Sequence, residues 1–110
     1  MPTSTPWGPA QTARKIANGI MAYTTARHGG FHLSPTRQAQ VPASIRSFAG
    51  GAWFEEDYDW AVVCLVFPRE FCAGNQSGYT AGDIIQAARD TLARYRPAWL
   101  AAIEQRPVGV

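Results

Sequence analysis

Lysine, cysteine, histidine and long apolar runs are what this sequence has least of. No uninterrupted apolar stretch approaches the roughly 18–20 residues that a membrane-spanning helix needs, so no membrane partner is expected. Two cysteines, Cys64 and Cys72, are too few for a disulfide scaffold. Cys64 lies in an apolar run and reads as a buried small hydrophobe. A Cys64–Cys72 bridge stays open, with reduced thiols as the default. The first residues, MPTSTPWGP, lack a basic segment and an apolar core, so they do not read as a signal peptide, and a cytoplasmic setting is expected. HExxH, CxxC, P-loop, dinucleotide and G-x-S-x-G patterns are all missing. No cofactor and no catalytic residue is therefore assigned. No basic helix with interleaved aromatics points to direct nucleic-acid binding.

What is there fits one domain. The chain has 110 residues, 46% hydrophobic and 16% charged, enough apolar content for a packed core and too much for a disordered chain. The net charge of +2 is unevenly spread. Residues 1–50 carry Arg14, Lys15, Arg27, Arg37 and Arg46 and no acid, whereas residues 51–110 carry eight acids against five arginines. Glu55, Glu56, Asp57 and Asp59 fall within five positions. Such asymmetry suits a dipolar surface that meets a charged partner, unless the two halves pair with each other on folding.

Periodicity divides the chain into elements. Ala13, Ile16, Ala17, Ile20 and Tyr23 recur at helical spacing and predict a helix over about 9–26, ended by Gly29-Gly30. Phe31-His32-Leu33 reads as a short strand. Pro42 can open a helical turn near 42–47, Gly50-Gly51 reads as a turn, and AGNQSGY (73–79) as a flexible loop. The β-branched and aromatic run WAVVCLVF (60–67) reads as a central strand. It would form an antiparallel hairpin with Trp53–Glu56 through a tight turn at Asp57-Tyr58, and Pro68 would end it. Thr80 and Asp83 form a capping-box pair that opens a helix over about 81–95. Pro97 breaks it, and a shorter helix follows with Trp99, Leu100 and Ile103 apolar. The expected fold is α+β: a small antiparallel sheet of about three strands, an N-terminal helix and one or two C-terminal helices, all in a single domain over 1–110.

Two segments could carry chemistry. Around Arg27, His28 and His32 the histidines are four apart, and in extended chain their rings share one face. In Trp53-Phe54-Glu55-Glu56-Asp57-Tyr58-Asp59-Trp60, alternation would point Glu55, Asp57 and Asp59 one way. Clustered carboxylates raise one another's pKa and can bind a cation or act as acid and base. Trp53 and Trp60 would keep such a site partly dry. Combining two histidines with these carboxylates gives a set able to bind a transition metal, although no spacing demands it.

At these residues the chain resembles a family of short bacterial, plasmid and phage proteins. The shared pattern is Thr5-Pro6-Trp7-Gly8, Gly19-Ile20, Thr25-x-x-His28-Gly29-Gly30-Phe31, Trp53-Phe54-Glu55-Glu56-Asp57-x-Asp59-Trp60 and Phe67-Pro68. The resemblance covers residues 5–70 and implies an accessory gene of a mobile element, a setting that also houses anti-restriction and anti-CRISPR inhibitors. The expectation is a small, non-enzymatic interaction protein. It would bind and block a host defence complex, a CRISPR effector or restriction system, using Glu55, Glu56, Asp57, Asp59, Trp53, Trp60, His28, His32 and Arg27. The alternative is a small metal-dependent or acid/base enzyme built on His28, His32 and the 55–59 carboxylates. A self-association module, such as a homodimer, would show a large exposed apolar face on residues 84–103.

Overall fold

A computed structural model of the chain describes residues 4–47, 51–73 and 77–106. In chain order the elements are β1 (Ser4–Thr5), β2 (Gly8–Pro9), β3 (Thr12–Ala17), β4 (Ile20–Thr24), β5 (Gly29–Leu33), α1 (Pro35–Gln38), β6 (Trp53–Glu55), α2 (Trp60–Val66), α3 (Pro68–Ala73), α4 (Ala81–Tyr95) and α5 (Pro97–Glu104). β3-β4-β5-β6 form an antiparallel sheet in sequence order, and β1-β2 form a separate two-stranded ribbon. The α+β class holds, with more strands than expected.

The helix expected over 9–26 is a β-hairpin. Asn18-Gly19 is a strong hairpin signal, and Gly19 takes φ +82°, outside what a helix allows. A side chain at Gly19 would also meet Ser34 Oγ at 2.6 Å. The apolar residues that suggested helical spacing are cross-strand partners: Ala17 pairs with Ile20 and Ala13 with Tyr23, with a bulge between Lys15 and Ala17. Gly29-Gly30 does not cap a helix either; both residues lie buried in β5. The strand expected at 31–33 is present and starts two residues earlier.

The second reversal is at 60–67. WAVVCLV is a helix, so the expected hairpin between 53–56 and 59–67 does not form. Ala61, Val62, Val63 and Cys64 are all fully buried. α2 packs on β5 and β6 and against α3, α4 and α5. Trp60, Leu65 and Val66 are partly buried and pack on the same core, so this helix has no polar face and its sequence carries no helical period. The magnitudes agree. Valine costs a helix about 0.5 kcal/mol relative to alanine, whereas burying each such side chain yields about 1.5–3 kcal/mol.

α4 and α5 lie where their signals put them. The Thr80 hydroxyl accepts the Asp83 amide (3.1 Å), and the Asp83 carboxylate accepts the Thr80 amide (3.4 Å). Pro97 starts α5. Ala88, Leu92 and Ile103 are buried; among the described residues the large hydrophobic side chains left exposed are Tyr79 and Tyr95. The turn expected near 42–47 is one hydrogen bond, the Ile45 amide donating to the Pro42 carbonyl at 3.0 Å. The expected Gly50-Gly51 turn and 73–79 loop fall partly outside the described residues. No helix among the described residues is long and apolar enough to cross a membrane.

Ile20, Leu33 and Phe54 face the helices and join the main core. Strand alternation puts Tyr23, Gly30, His32, Trp53 and Glu55 on the opposite face. There Trp7, from the β1-β2 ribbon, meets Trp53 edge-on at 5.8 Å, and Tyr23 lies 5.4 Å from Trp53.

Arg37 ties the hairpin to the helices. It donates to the Asn18 carbonyl (2.9 Å) and the Glu70 carboxylate (2.9 Å), and its guanidinium lies 4.9 Å above the Phe67 ring. The backbone N–H of Glu70 and the Arg37 guanidinium hold the Glu70 carboxyl below its ordinary range, against the opposing effect of partial burial. A lowered folded pKa stabilises above the unfolded value and loses that contribution as pH falls through the folded one. Glu70→Gln is therefore expected to destabilise at neutral pH. The gap from wild type should shrink as pH drops below about 4, read by denaturant unfolding across pH. A gap that does not change with pH would contradict this.

Candidate functional site

The site lies at the end of the sheet where β5 begins and β6 ends. β4 and β5 are joined by a tight turn that Thr25 organises. Its hydroxyl donates to the His28 carbonyl (2.6 Å) and accepts the His28 (3.0 Å) and Arg27 (3.3 Å) amides; its own amide donates to the His28 carbonyl (2.8 Å). This hydroxyl-closed turn fixes the backbone of His28 just before the strand. On the neighbouring strand Glu55 pairs with Gly30, and the Glu56 amide donates to the Gly29 carbonyl at 2.9 Å. Carried two residues further, that register sets His28 across from Asp57.

Three side chains converge as a result. His28 Nδ1 lies 3.7 Å from Glu55 Oε2, and one ligand atom each from His28, Glu55 and Asp57 fall within 4.8 Å of one another. His28 and Asp57 are exposed, and the Glu55 side chain is 19% exposed. Burial pushes the Glu55 carboxyl above its ordinary range, and Asp57 adds to the rise; His28 and the Asp57 backbone N–H act the other way. The arrangement therefore holds two carboxylates close together with a single imidazole beside them. It can take up a cation, relay a proton, or present negative charge outward.

The other candidates go elsewhere. Glu56 and Arg27 are exposed on the two flanking turns. His32 pairs with Trp53 across the ladder, with its ring 4.6 Å from the Trp53 ring, and burial lowers its pKa. It does not join His28, because the aromatic face of the sheet holds it. Trp53 is buried in that same cluster. Trp60 lies on α2, its ring 5.9 Å from Phe71, and lines a pocket with Tyr79, Asp83 and Ile84; it is not among the residues that converge on His28. Asp59 turns inward at the start of α2. Burial raises its pKa, while Arg96 and the Glu55 backbone N–H oppose the rise. Its carboxylate is 3.9 Å from Arg96 Nε. Neither the extended strand that would align Glu55, Asp57 and Asp59 nor the hairpin turn at Asp57-Tyr58 forms; a strand-to-helix turn takes their place and makes Asp59 an interior group.

Sequence reasoning passed over two features. Thr25 is the organiser of the His28 turn, and its signal was the hydroxyl three residues before the histidine. Tyr58 stacks on Tyr95 with ring centroids 4.0 Å apart, and Arg96 lies over both Tyr58 (5.6 Å) and Trp99 (5.3 Å). That stack closes the 56–59 turn onto the end of α4, a contact between residues 37 positions apart that no local pattern announces.

Over residues 1–109 the chain matches the family described as Domain of unknown function (DUF7007), and it belongs to that family. No curated protein and no solved structure matches it.

Proposed function

We propose that this DUF7007 protein works by binding, with the acidic turn Glu55-Glu56-Asp57 seated in a basic groove of a larger partner. One observation carries the reading. Among the described residues, Lys and Arg form ion pairs with Glu70, Glu104 and Asp59 but with none of Glu55, Glu56 and Asp57, which lie together; Asp83 and Asp90, also without such a pair, stand apart from one another on α4. Like charges kept together with only the His28 imidazole beside them cost folding free energy, and a basic partner removes that cost. Asp59 is left out of the docking set because it is buried. A groove lined with Arg and Lys is the kind that otherwise holds phosphates. The partner class follows from the resemblance noted in the sequence: a host defence complex, a CRISPR effector or a restriction system, blocked by occupation of its nucleic-acid groove.

The test is capture from host lysate by tagged protein. Wild type is expected to retain a defence-complex subunit in stoichiometric amount. Glu56→Arg/Asp57→Arg changes exposed side chains only and should reduce capture at least about tenfold, the effect of losing roughly 1.4 kcal/mol. Equal capture by the variant would sink the acidic-turn reading.

A second reading, a small acid/base or metal-dependent enzyme, is favoured by the approach of His28 to Glu55. It runs through His28, Glu55 and Asp57, without His32. The two readings separate at His28→Ala, which should leave capture intact if binding is the function and abolish the effect on the host if catalysis is.

A further inference from the structure

We propose that His28, Glu55 and Asp57 together bind one divalent transition-metal ion, of the zinc class, as a three-ligand site with an open coordination position. The inference shares Glu55 and Asp57 with the docking reading but rests on the geometry of the two turns, and calorimetry with zinc tests it separately from capture of a partner. Each residue offers a ligand atom, and the three lie within 4.8 Å of one another. Donors on a tetrahedral zinc ion sit at about 2.0–2.2 Å from it, so any two of them are about 3.4 Å apart. A pair at the 4.8 Å limit therefore has to close by about 1.4 Å, by rotation of the exposed His28 and Asp57 side chains.

The backbone is already in place. Thr25 closes the turn that carries His28, and the β5-β6 ladder with its Glu56–Gly29 hydrogen bond positions Glu55 and Asp57 across from it. Glu55 is held by the strand and by partial burial, while the exposed His28 and Asp57 side chains on the adjoining turns are left to rotate onto the ion. The donor set selects the class. One imidazole with two carboxylates suits zinc, cobalt or manganese, whereas calcium and magnesium prefer all-oxygen shells and would gain nothing from His28.

Titration calorimetry of the whole protein with zinc chloride, and separately with magnesium chloride, tests this. The expected result is one zinc per chain, with affinity falling at least about tenfold in His28→Ala and in Asp57→Asn, and no loss in His32→Ala or Cys72→Ser. Both ligand changes are at exposed positions, so circular dichroism of the variants should match wild type. Magnesium should bind at least about a hundredfold more weakly than zinc. Zinc binding that survives His28→Ala unchanged, that disappears in Cys72→Ser, or that exceeds one ion without saturation would overturn the site. No zinc binding at millimolar concentration would overturn it equally.

Discussion

Phe54→Ala is expected to destabilise the fold by about 3–5 kcal/mol, the cost of emptying a fully buried phenylalanine site. Phe54 is the middle residue of β6 and pairs with Phe31 across the ladder. Its side chain faces the helices, in the same cluster as Ile20, Leu33, Val62, Val63 and Leu92. α2 packs directly on this strand, so removing the ring leaves a void between sheet and helix that neither side can collapse to fill. Against a total stability of about 5–15 kcal/mol, that is at least about a fifth of the fold's margin. Denaturant unfolding measures it. A change under about 1 kcal/mol would mean that sheet and helices do not meet at Phe54.

Gly30→Ala should cost about 1–3 kcal/mol for a single added methyl group. A Cβ at Gly30 would run into the Phe54 carbonyl oxygen and the Trp7 ring, both nearer than real carbon atoms approach. The first obstacle is backbone and cannot swing away. Relief requires β6 to move off β5 or the β1-β2 ribbon to lift. Gly30 is also the ladder partner of Glu55. The same substitution therefore draws Glu55 away from His28, and zinc affinity should fall together with stability. A Gly30→Ala protein as stable as wild type would contradict the close approach of Trp7 and the β5-β6 register.

The parts of the fold legible in the sequence are those with local chemistry. The capping box at Thr80 and Asp83 and the proline at position 97 fix the ends of two helices within a few residues, so α4 and α5 lie where expected. The two misread segments each had their signal masked by tertiary packing. In 9–26, Asn18-Gly19 was the decisive pair, but the apolar residues around it fit helical spacing because hairpin partners fall at the same intervals near a tight turn. In 60–67, β-branched residues suggest a strand, yet a helix packed against a strand pair and three other helices is released from amphipathic patterning.

The site was legible as ingredients. His28 and the carboxylates stand out by composition. That Glu55 and Asp57 meet His28 while Asp59 turns toward Arg96 depends on a β5-β6 register joining residues 25 positions apart. The exclusion of His32 likewise follows from its ladder partner, Trp53, which binds it into the aromatic face.

The most direct test of the account is competition for the captured partner. With the defence-complex subunit immobilised, a short nucleic acid and this protein are added together and each is measured. Mutual displacement is expected: bound protein falls as nucleic acid rises and as salt rises, and Glu56→Arg/Asp57→Arg fails to displace the nucleic acid. Simultaneous binding of both, with an affinity indifferent to the acidic turn, would contradict it.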